Sequence, residues 1–558
     1  MEKSFICKNA LRLFLVFTFY ILSEMLFAQD GKKFAIFFTD KNGSPYSIAN
    51  PSAFLSPRAL ARRANQGIPI SENDIPVNQA YVDSIASTGV TIYNRSRWLN
   101  FITIDTTGHP NAASKIVNFS FVKSTRAVGK LMPPTPEDVI PKKETTANPQ
   151  FNSTPNYGNS ITQAHLIGAD CMHQQGFMGE GMVIAVLDDG FYKVDSLPVF
   201  DSLWINHQIL GTRDFSAPGS NVFNEDTHGM EVLSTIGGNL PGQLIGTAPK
   251  AQFWLLRSEV AATENIIEEY NWVAGAEFAD SVGADIITSS LGYTTFDNPA
   301  QNQTYSEMNG RVAVSSIAAT IAAEKGLVVV VAAGNGGQSS WPHIGSPADA
   351  DSIITVGATD GSGVRASFSS YGPTSDHRIK PTVMAQGENS VLASSSGGTF
   401  TGNGTSFATP ETAGAVACLW QANPKRTNME IINAIVKSSS KFTNPDTAMG
   451  YGIPNFCSAN LILGIENPVG QFGDNAFKVV PNPFKNNLTV NFLSDQTIES
   501  TIHVYDISGR LVLTGSTNLT SGVYNPLPLN DLLNRDSGLY FVEVRAGNHS
   551  FFTRVIKY

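Results

Sequence analysis

The sequence predicts an α/β protein: a doubly wound, mostly parallel sheet forms the main domain, a small α+β domain precedes it, and an antiparallel β-sandwich follows it. Between Ala164 and Leu463, short apolar runs such as MVIAVL and LVVVVAA alternate with amphipathic helical stretches. This alternation is typical of strands that are buried on both faces of a parallel sheet and covered by helices. After this region, runs such as LTVNFL and TIHVYDI are separated by turn signals without a helical period, which indicates the sandwich.

A signal peptide is predicted over residues 1–28. Lys3, Lys8 and Arg12 precede the apolar run LFLVFTFYIL, and the ending LFAQD places cleavage after Ala28. A membrane anchor is the alternative, but the run is shorter than the roughly 20 residues that a spanning helix needs. The sequence therefore predicts export.

The remaining boundaries follow from changes in composition. Mixed helix and strand patterns, including SPRALARRANQGI and WLNFITID, indicate a first domain over 29–130. A stretch rich in Pro, Thr and Asn predicts an exposed linker over 131–160. The main domain is assigned to 161–466, and a further linker with the sandwich to 467–558.

Composition limits the partners and the chemistry. A formal net charge of −10 offers no basic surface for phosphate groups, so a nucleic-acid partner is not expected. Because Cys7 lies in the signal peptide, Cys171, Cys418 and Cys457 remain and allow one disulfide at most. Cys418 lies in an apolar helical pattern and is predicted to be a core residue, and the spacings fit no metal cluster.

Polar groups follow three of the predicted strands. The run MVIAVL ends at Asp188 and Asp189, DIITSSL ends at Gly292, and LVVVVAA ends at Gly334 and Asn335. In an open parallel sheet, ligands bind beyond the carboxyl ends of the strands. We therefore expect these groups to line one cleft.

His228 and Ser406 complete the set of candidates. His228 lies at the N-terminal end of the helix predicted in EDTHGMEVLSTIGG, and Ser406 opens the helix predicted in GTSFATPETAG. For each residue a structural role, as a helix cap or a packing group, is the alternative. A serine becomes a nucleophile when an imidazole takes its proton and a buried carboxylate orients that imidazole. Asp188 supplies the carboxylate, while the Asn335 amide and the Ser406 backbone N–H can hold an oxyanion.

In these segments the chain resembles the subtilisin-like serine proteases, in that family's order Asp, His, Asn, Ser. The matching segments are VIAVLDDGF, HGMEVLSTIGG, AAGNGG and GTSFATPETAGAVA, with further matches in IGTAPKAQFWLL, SSLGY, ITVGATD and FSSYGP. So many motifs in order are a strong signal. The resemblance implies a serine endopeptidase that forms an acyl-enzyme. The resemblance also assigns the roles: Asp188 orients His228, and His228 is the general base and then the general acid. Ser406 is the nucleophile, and Asn335 helps to hold the oxyanion.

The resemblance also implies a substrate cleft between two walls. One wall is Ser290, Leu291 and Gly292, and the other is Ala332, Ala333 and Gly334. A protein or peptide substrate adds between them as an extended strand, and its P1 side chain enters a pocket. The two alanines leave that pocket apolar and uncharged, so apolar or aromatic P1 residues are expected.

Two positions depart from the family's pattern. Asp189 stands where a hydroxyl residue is usual, which leaves open which carboxylate contacts His228. Side chains alternate along a strand end, so only one of them faces the cleft, and motif position favours Asp188. A paired-carboxylate hydrolase is the alternative, but no other matching acid is found in the sequence. Met230 replaces the usual Thr and is expected to alter packing rather than chemistry.

The flanking regions resemble accessory domains of Bacteroidetes members. FLSPRALARRANQGI and SRWLNFITI are similar to propeptides, which implies an intramolecular inhibitor and a maturation cut between Met132 and Ser160. VVPNPFKNNLTVNF, IHVYDISGRLV and DSGLYFVEVRAGNHSFFTRVIKY resemble the sorting domain of type IX secretion. A carbohydrate-binding or adhesive module is the alternative for that sandwich. The resemblance implies the type IX machinery as a partner, export through the periplasm, and a secreted or cell-surface location.

The resemblance implies no cofactor for the chemistry. Structural calcium is common in the family, but the sequence shows no single compact acidic loop from which to assign ligands. A non-catalytic binding or adhesive protein on the same fold is the alternative function, although an inactive descendant has no reason to retain all four chemical positions. A lipase or esterase would place its serine before the histidine, whereas Ser406 comes last.

Overall fold

The computed structural model describes most of the chain. The described residues are 33–129, 155–465, 477–485, 487–493, 497–520, 524–546 and 549–558. Those up to Ala459 form one compact unit, and those from Asn460 form a second. The predicted signal peptide, 1–28, and residues 131–154 of the predicted linker lie outside the described residues.

The first domain is an antiparallel sheet with short helices on one face. Its strands are β1 Lys33–Phe38, β2 Thr91–Ser96, β3 Phe101–Asp105 and β4 Val122–Gly129, and its helices are α1 Pro57–Asn65, α2 Gln79–Ala86 and α3 Ala112–Ile116. The strand order is β2-β3-β1-β4. Phe34 and Ile104 of the sheet pack with Ile85 of α2 and Ile116 of α3 in one buried cluster. The α+β prediction is confirmed.

The main domain alternates strands and helices. In chain order its elements are α4 Ile161–Leu166, α5 Ala169–Gln174, β5 Val183–Asp188, α6 Asp201–Ile205, β6 Ile209–Asp214, α7 His228–Gly237, β7 Asn239–Leu240, β8 Leu244–Ile245, β9 Gln252–Arg257, α8 Ile267–Val282, β10 Ile286–Ser289, α9 Val314–Glu324, β11 Val328–Ala332, β12 Ile354–Thr359, β13 Val383–Gln386, β14 Ser390–Ala393, β15 Thr399–Gly402, α10 Thr405–Ala422, α11 Asn428–Ser438 and α12 Phe456–Ile465.

Seven of these strands form the predicted parallel sheet, in the order β13-β12-β11-β10-β5-β9-β6. Every paired neighbour runs parallel. Helix α10 contacts strands β10 to β13 and helix α7, whereas α8 packs against α9 and contacts β5 and β9. Because helices cover both faces, all residues of β5, β10, β11 and β12 are buried, as their continuous apolar runs predict.

Two of the cysteines are bonded. Cys171 on α5 forms a disulfide with Cys457 on α12, across a sequence separation of 286 residues. Cys418 on α10 is free and buried, which confirms its prediction as a core residue.

The first domain docks on helix α8 through buried charges. The guanidinium groups of Arg62, Arg63 and Arg97 all pair with the carboxylate of Asp280, with N–O distances of 2.8 Å for Arg63 and 2.6 Å for Arg97. All four side chains are buried. A buried cation without a partner is costly, so Asp280 is central to this interface.

The second unit is an antiparallel β-sandwich. Its strands are β16 Phe477–Val480, β17 Thr489–Leu493, β18 Ile498–Asp506, β19 Leu511–Leu519, β20 Tyr524–Pro528, β21 Gly538–Ala546 and β22 His549–Lys557. They form two sheets, β16-β17-β20 and β19-β18-β21-β22. Val490 and Phe492 of the first sheet share a core with Val504 and Val542 of the second, so the predicted antiparallel sandwich is confirmed. Among the described residues, no helix has the length and apolarity needed to cross a membrane.

Candidate active site

Asp188 and His228 lie together at the centre of the sheet's carboxyl edge. Asp188 is the last residue of β5 and is fully buried, and His228 is the first residue of α7. His228 Nδ1 lies 2.7 Å from Asp188 Oδ1. Gly229 makes this approach possible, because a Cβ there would lie only 2.2 Å from the carbonyl oxygen of Gly190. The strand end and the helix start are thus held in hydrogen-bond contact.

The charge state of His228 depends on its acidic neighbours. Burial lowers the pKa of His228, but the charge and hydrogen bond of Asp188 raise it, and Asp189 and Glu231 raise it further, to about 10. These acidic neighbours favour the cationic form of His228, in which Nδ1–H donates to Asp188. Its side chain keeps 28% of its surface exposed, so one edge of the ring faces the cleft.

The structure answers which of the two adjacent carboxylates contacts the imidazole. Asp188 does, whereas the backbone N–H of Asp189 donates to Asp188 Oδ1 at 3.0 Å. Burial and the Asp188 charge raise the pKa of Asp189 to about 8, so its carboxyl group is mostly protonated at neutral pH. Motif position therefore predicted the right partner for His228.

Ser406 lies beside this pair but is not hydrogen-bonded to it. It is the second residue of α10, and the Phe407 ring is 6.0 Å from the His228 ring, measured between centroids. Ser406 Oγ donates to the carbonyl oxygen of Ser290 at 3.3 Å. The alternative role of Ser406 as a helix cap is wrong. Gly404 is the N-cap and no side chain caps this helix, because the hydroxyl groups of Thr405 and Ser406 both bind partners outside it.

Asn335 is fixed by Thr405. Asn335 Oδ1 accepts from Thr405 N at 2.9 Å and from Thr405 Oγ1 at 3.0 Å. Since both partners are donors, Oδ1 must be the accepting end of the amide and Nδ2 is the other end. Asn335 is exposed, and within the described residues its Nδ2 donates no hydrogen bond. The amide therefore presents a donor beside the start of α10.

The two predicted walls follow neighbouring strands. Ser290, Leu291 and Gly292 follow β10, while Ala332, Ala333 and Gly334 end β11 and continue from it. These strands pair in parallel register, so both segments reach the same edge of the sheet. Leu291, Ala332 and Ala333 are buried.

Comparisons with known proteins identify the family. The sequence model of the subtilase family matches residues 179–452. Subtilisin NAT of Bacillus subtilis subsp. natto is 32% identical over 298 residues, which cover 52% of this chain and 69% of that protein. Subtilisin of Bacillus pumilus is 31% identical over 52% of this chain and 96% of that protein. The chain belongs to the subtilase family. It is therefore a serine-type peptidase of the subtilisin kind, and the predicted resemblance is confirmed.

Two further matches describe the flanking regions of this subtilase. The model of the peptidase S8 propeptide domain of Bacteroidota matches residues 33–145, and that of the secretion system C-terminal sorting domain matches residues 478–558. The sorting domain supports export and a secreted or cell-surface location. Among solved structures, MycP1 with its N-terminal propeptide removed aligns at a TM-score of 0.43 and 24% identity, covering 55% of this chain and 98% of that one.

Two groups of side chains in the described part of the subtilase are close enough to share a metal ion. One is Asp188, Asp189 and His228; the other is Glu259, Glu264 and Glu268. The first group holds the hydrogen-bonded pair described above. Sequence reasoning missed the second group, although four glutamates between Glu259 and Glu269 were a visible signal.

Proposed function

We propose that this subtilase is an endopeptidase whose catalytic triad is Asp188, His228 and Ser406. The observation that carries the proposal is the 2.7 Å hydrogen bond between Asp188 Oδ1 and His228 Nδ1, with Ser406 at the start of the adjacent helix. Serine acyl transfer requires a buried carboxylate that orients an imidazole, with the other side of the imidazole ring accessible to the serine and the substrate.

In the proposed reaction, His228 must first be neutral to act as a base. The Ser406 hydroxyl then turns from the Ser290 carbonyl towards His228, by rotation about its Cα–Cβ bond, and attacks the scissile carbonyl carbon. His228 takes the hydroxyl proton and later delivers it to the leaving amine, while Asp188 stabilises the imidazolium. Water then hydrolyses the acyl-enzyme by the same proton transfers.

The oxyanion is proposed to be held by two donors. Asn335 Nδ2 is directed by the two hydrogen bonds from Thr405 to Oδ1. The backbone N–H of Ser406 lies in the first turn of α10, where amide groups have no partner within the helix. Donors that are already oriented lose little energy to reorganisation when charge develops on the substrate oxygen.

The proposed substrate is an extended peptide bound between Ser290–Gly292 and Ala332–Gly334. The wall residues Leu291, Ala332 and Ala333 are apolar and uncharged. An ionised P1 side chain would lose its hydration there without gaining a counter-charge. We therefore infer a preference for apolar or aromatic P1 residues.

The propeptide domain is proposed to inhibit the enzyme until it is cut. Its last strand, β4, ends at Gly129, where a Cβ would lie 3.1 Å from Asn265 Cβ, in the loop that precedes α8. Ala127 O accepts from Gln301 Nε2 at 3.0 Å. The close approach of Gly129 to Asn265 and the hydrogen bond at Ala127 support a chain that leaves the propeptide beside the catalytic domain. Export by the type IX machinery, followed by release or by attachment at the cell surface, completes the proposal.

The test is labelling by an organophosphate serine reagent, combined with cleavage of a peptide library. Mature enzyme should be labelled and should cleave after apolar residues. Ser406→Ala should show neither property, and His228→Ala should be labelled far more slowly. Equal labelling of the enzyme and Ser406→Ala, or labelling of neither, would contradict the proposal and favour a non-catalytic binding protein.

A further inference from the structure

Three glutamates lie together beyond the end of β9. Glu259 follows this strand, Glu264 lies in the next loop, and Glu268 is in the first turn of α8. Each offers a carboxylate oxygen, and these oxygens all lie within 4.8 Å of one another. Two oxygens bound to one calcium ion at about 2.4 Å are separated by no more than twice that distance. The spacing of the cluster therefore fits a shared cation.

Little positive charge lies near the carboxylates: among the described residues, the Lys33 ammonium acts on Glu268 and His228 acts on Glu259. Within the described residues, no lysine or arginine forms an ion pair with Glu259, Glu264 or Glu268. Glu259 Oε2 and Glu264 Oε1 are inaccessible to solvent and accept no hydrogen bond from any residue that the structure describes. Three carboxylates at this spacing repel one another when ionised, and a shared cation would offset that repulsion.

A second, independent feature points at the same place. Tyr293 is completely buried, and in the described part of the chain its hydroxyl group has no hydrogen-bond partner. Burial raises the pKa of this phenol, and the next largest contributions come from Glu259, Glu268 and Glu264. Buried tyrosine hydroxyls normally find a partner, so an unpartnered one that interacts with three carboxylates points to a ligand site at this place.

We propose that Glu259, Glu264 and Glu268 bind a hard divalent cation of the calcium class, with the Tyr293 hydroxyl at the edge of the site. Calcium takes six to eight oxygen ligands, and carboxylates are its preferred protein ligands. The cation links the end of β9, the start of α8 and the segment after β10. The proposal goes beyond the peptidase activity and does not depend on the catalytic roles.

A lysine or arginine side chain of a bound peptide is the other cation to consider. The inaccessible oxygens of Glu259 and Glu264 favour a small ion over such a side chain, because a peptide group would have to reach them from outside. A single divalent ion also compensates two negative charges at once, whereas an ammonium or guanidinium group compensates one. The spacing and the burial thus favour the metal ion.

The experiment uses the full-length chain carrying Ser406→Ala, so that self-cleavage does not interfere. Calcium binding is measured by titration calorimetry, and the melting temperature is compared in calcium chloride and in a chelator. Glu264→Gln should weaken calcium binding by at least about tenfold. It should also reduce the rise in melting temperature that calcium causes, by the share that this site contributes. Glu324→Gln, which changes an exposed acid at the end of α9, is the matched control and should behave as the parent.

A charge-reversal variant separates a metal ligand from an ordinary structural acid. Glu264→Lys brings its own cation to the remaining carboxylates, so it should lose this calcium response while melting in chelator at the same temperature as the parent or higher. Retention of the full calcium response in both Glu264 variants would overturn the proposal. Equal destabilisation of both variants in calcium and in chelator would also overturn it. A third outcome would also overturn it. In this outcome calcium has no effect, and the active enzyme prefers basic substrate residues unless it carries Glu264→Gln.

Discussion

Ser406 and Ser290 exchange a pair of hydrogen bonds: Ser406 Oγ donates to the carbonyl oxygen of Ser290 at 3.3 Å, and Ser290 Oγ donates to the carbonyl oxygen of Ser406 at 2.8 Å. The second bond fixes the backbone of the proposed nucleophile to one wall of the cleft. The first holds its hydroxyl group away from His228 in this state. Ser290 thus contributes to the position of the nucleophile as well as to the wall.

Ser290→Ala should lower kcat without unfolding the enzyme. One hydrogen bond of this type contributes about 1 kcal/mol, which corresponds to a loss of roughly fivefold if it acts fully in the transition state. Steady-state kinetics on a peptide substrate measures the loss. Ser439→Ala removes a comparable bond, from a buried hydroxyl to Ile435 O at 2.8 Å, away from the site, and should leave kcat unchanged. Equal effects of the two variants would contradict the assigned role.

Thr405→Val should disturb the proposed oxyanion site through Asn335. It removes one of the two donors that fix Asn335 Oδ1, so kcat should fall several-fold while KM changes little. Asn335→Leu removes the oxyanion donor itself, and the known cost of this loss in subtilisin is about 100- to 1000-fold in kcat. Thr412→Val removes a hydroxyl bond to Ala408 O further along α10 and is the matched control. A rise in KM alone would assign Thr405 to substrate binding instead.

The two adjacent aspartates should differ sharply on substitution. Asp188→Asn replaces the partner of His228 and should lower kcat by about four orders of magnitude, the cost known for the triad aspartate of a serine protease. Asp189→Asn should retain most activity. Because Asp189 raises the pKa of His228, this variant should move the acidic limb of the kcat profile to lower pH. A profile that moves to higher pH, or stays in place, would contradict this electrostatic role.

Glu411 should make the folded protein less stable as the pH rises. It is completely buried on α10, and burial raises its pKa well above the ordinary value. Below the unfolded-state pKa of about 4.5, both states hold the proton. Above it the unfolded chain ionises first, so unfolding becomes easier by up to about 1.4 kcal/mol per pH unit until the folded-state pKa is reached.

Glu411→Gln should remove this dependence. In a Ser406→Ala background, the variant and its parent should have similar stability near pH 4, and the variant should be the more stable one at pH 8. Denaturant unfolding across this pH range makes the comparison. Parallel stability curves for the two proteins would show that Glu411 ionises normally.

Asp280→Asn should destabilise the docked propeptide. It removes the charge that Arg62, Arg63 and Arg97 share, and breaking a buried ion pair costs about 3–5 kcal/mol. Denaturant unfolding of the full-length Ser406→Ala chain measures the loss. Asp376→Asn breaks a partly exposed pair with Arg378 and should cost no more than about 1 kcal/mol. Similar losses for both variants would contradict the importance of burial.

Sequence patterns predicted the parts of the site that follow from local rules. Asp188 and Asn335 were identified because they follow apolar runs, and such runs fold as central strands whose ends meet at one edge. His228 and Ser406 were identified at helix starts, where side chains and free amide groups face outward. These rules depend on near neighbours in the chain, so one sequence is enough to apply them.

Features that depend on distant residues were not predictable. Spacing allowed one disulfide but did not select Cys171 and Cys457, which are separated by 286 residues. The three glutamates are close in sequence, but only the fold adds Tyr293 to them and shows that, among the described residues, none of the three forms an ion pair. The alternative of a cap role for Ser406 was wrong for the same reason, because its hydroxyl group binds the carbonyl oxygen of Ser290, which follows a strand far away in the sequence.

The disulfide between Cys171 and Cys457 has a consequence for a protease exposed to its own activity. Asp188, His228, Asn335 and Ser406 all lie between these two cysteines in the chain. A single cut in any surface loop between them leaves two fragments that remain covalently joined. Such a nicked enzyme would keep its mass on a gel without reductant and separate into two bands only after reduction.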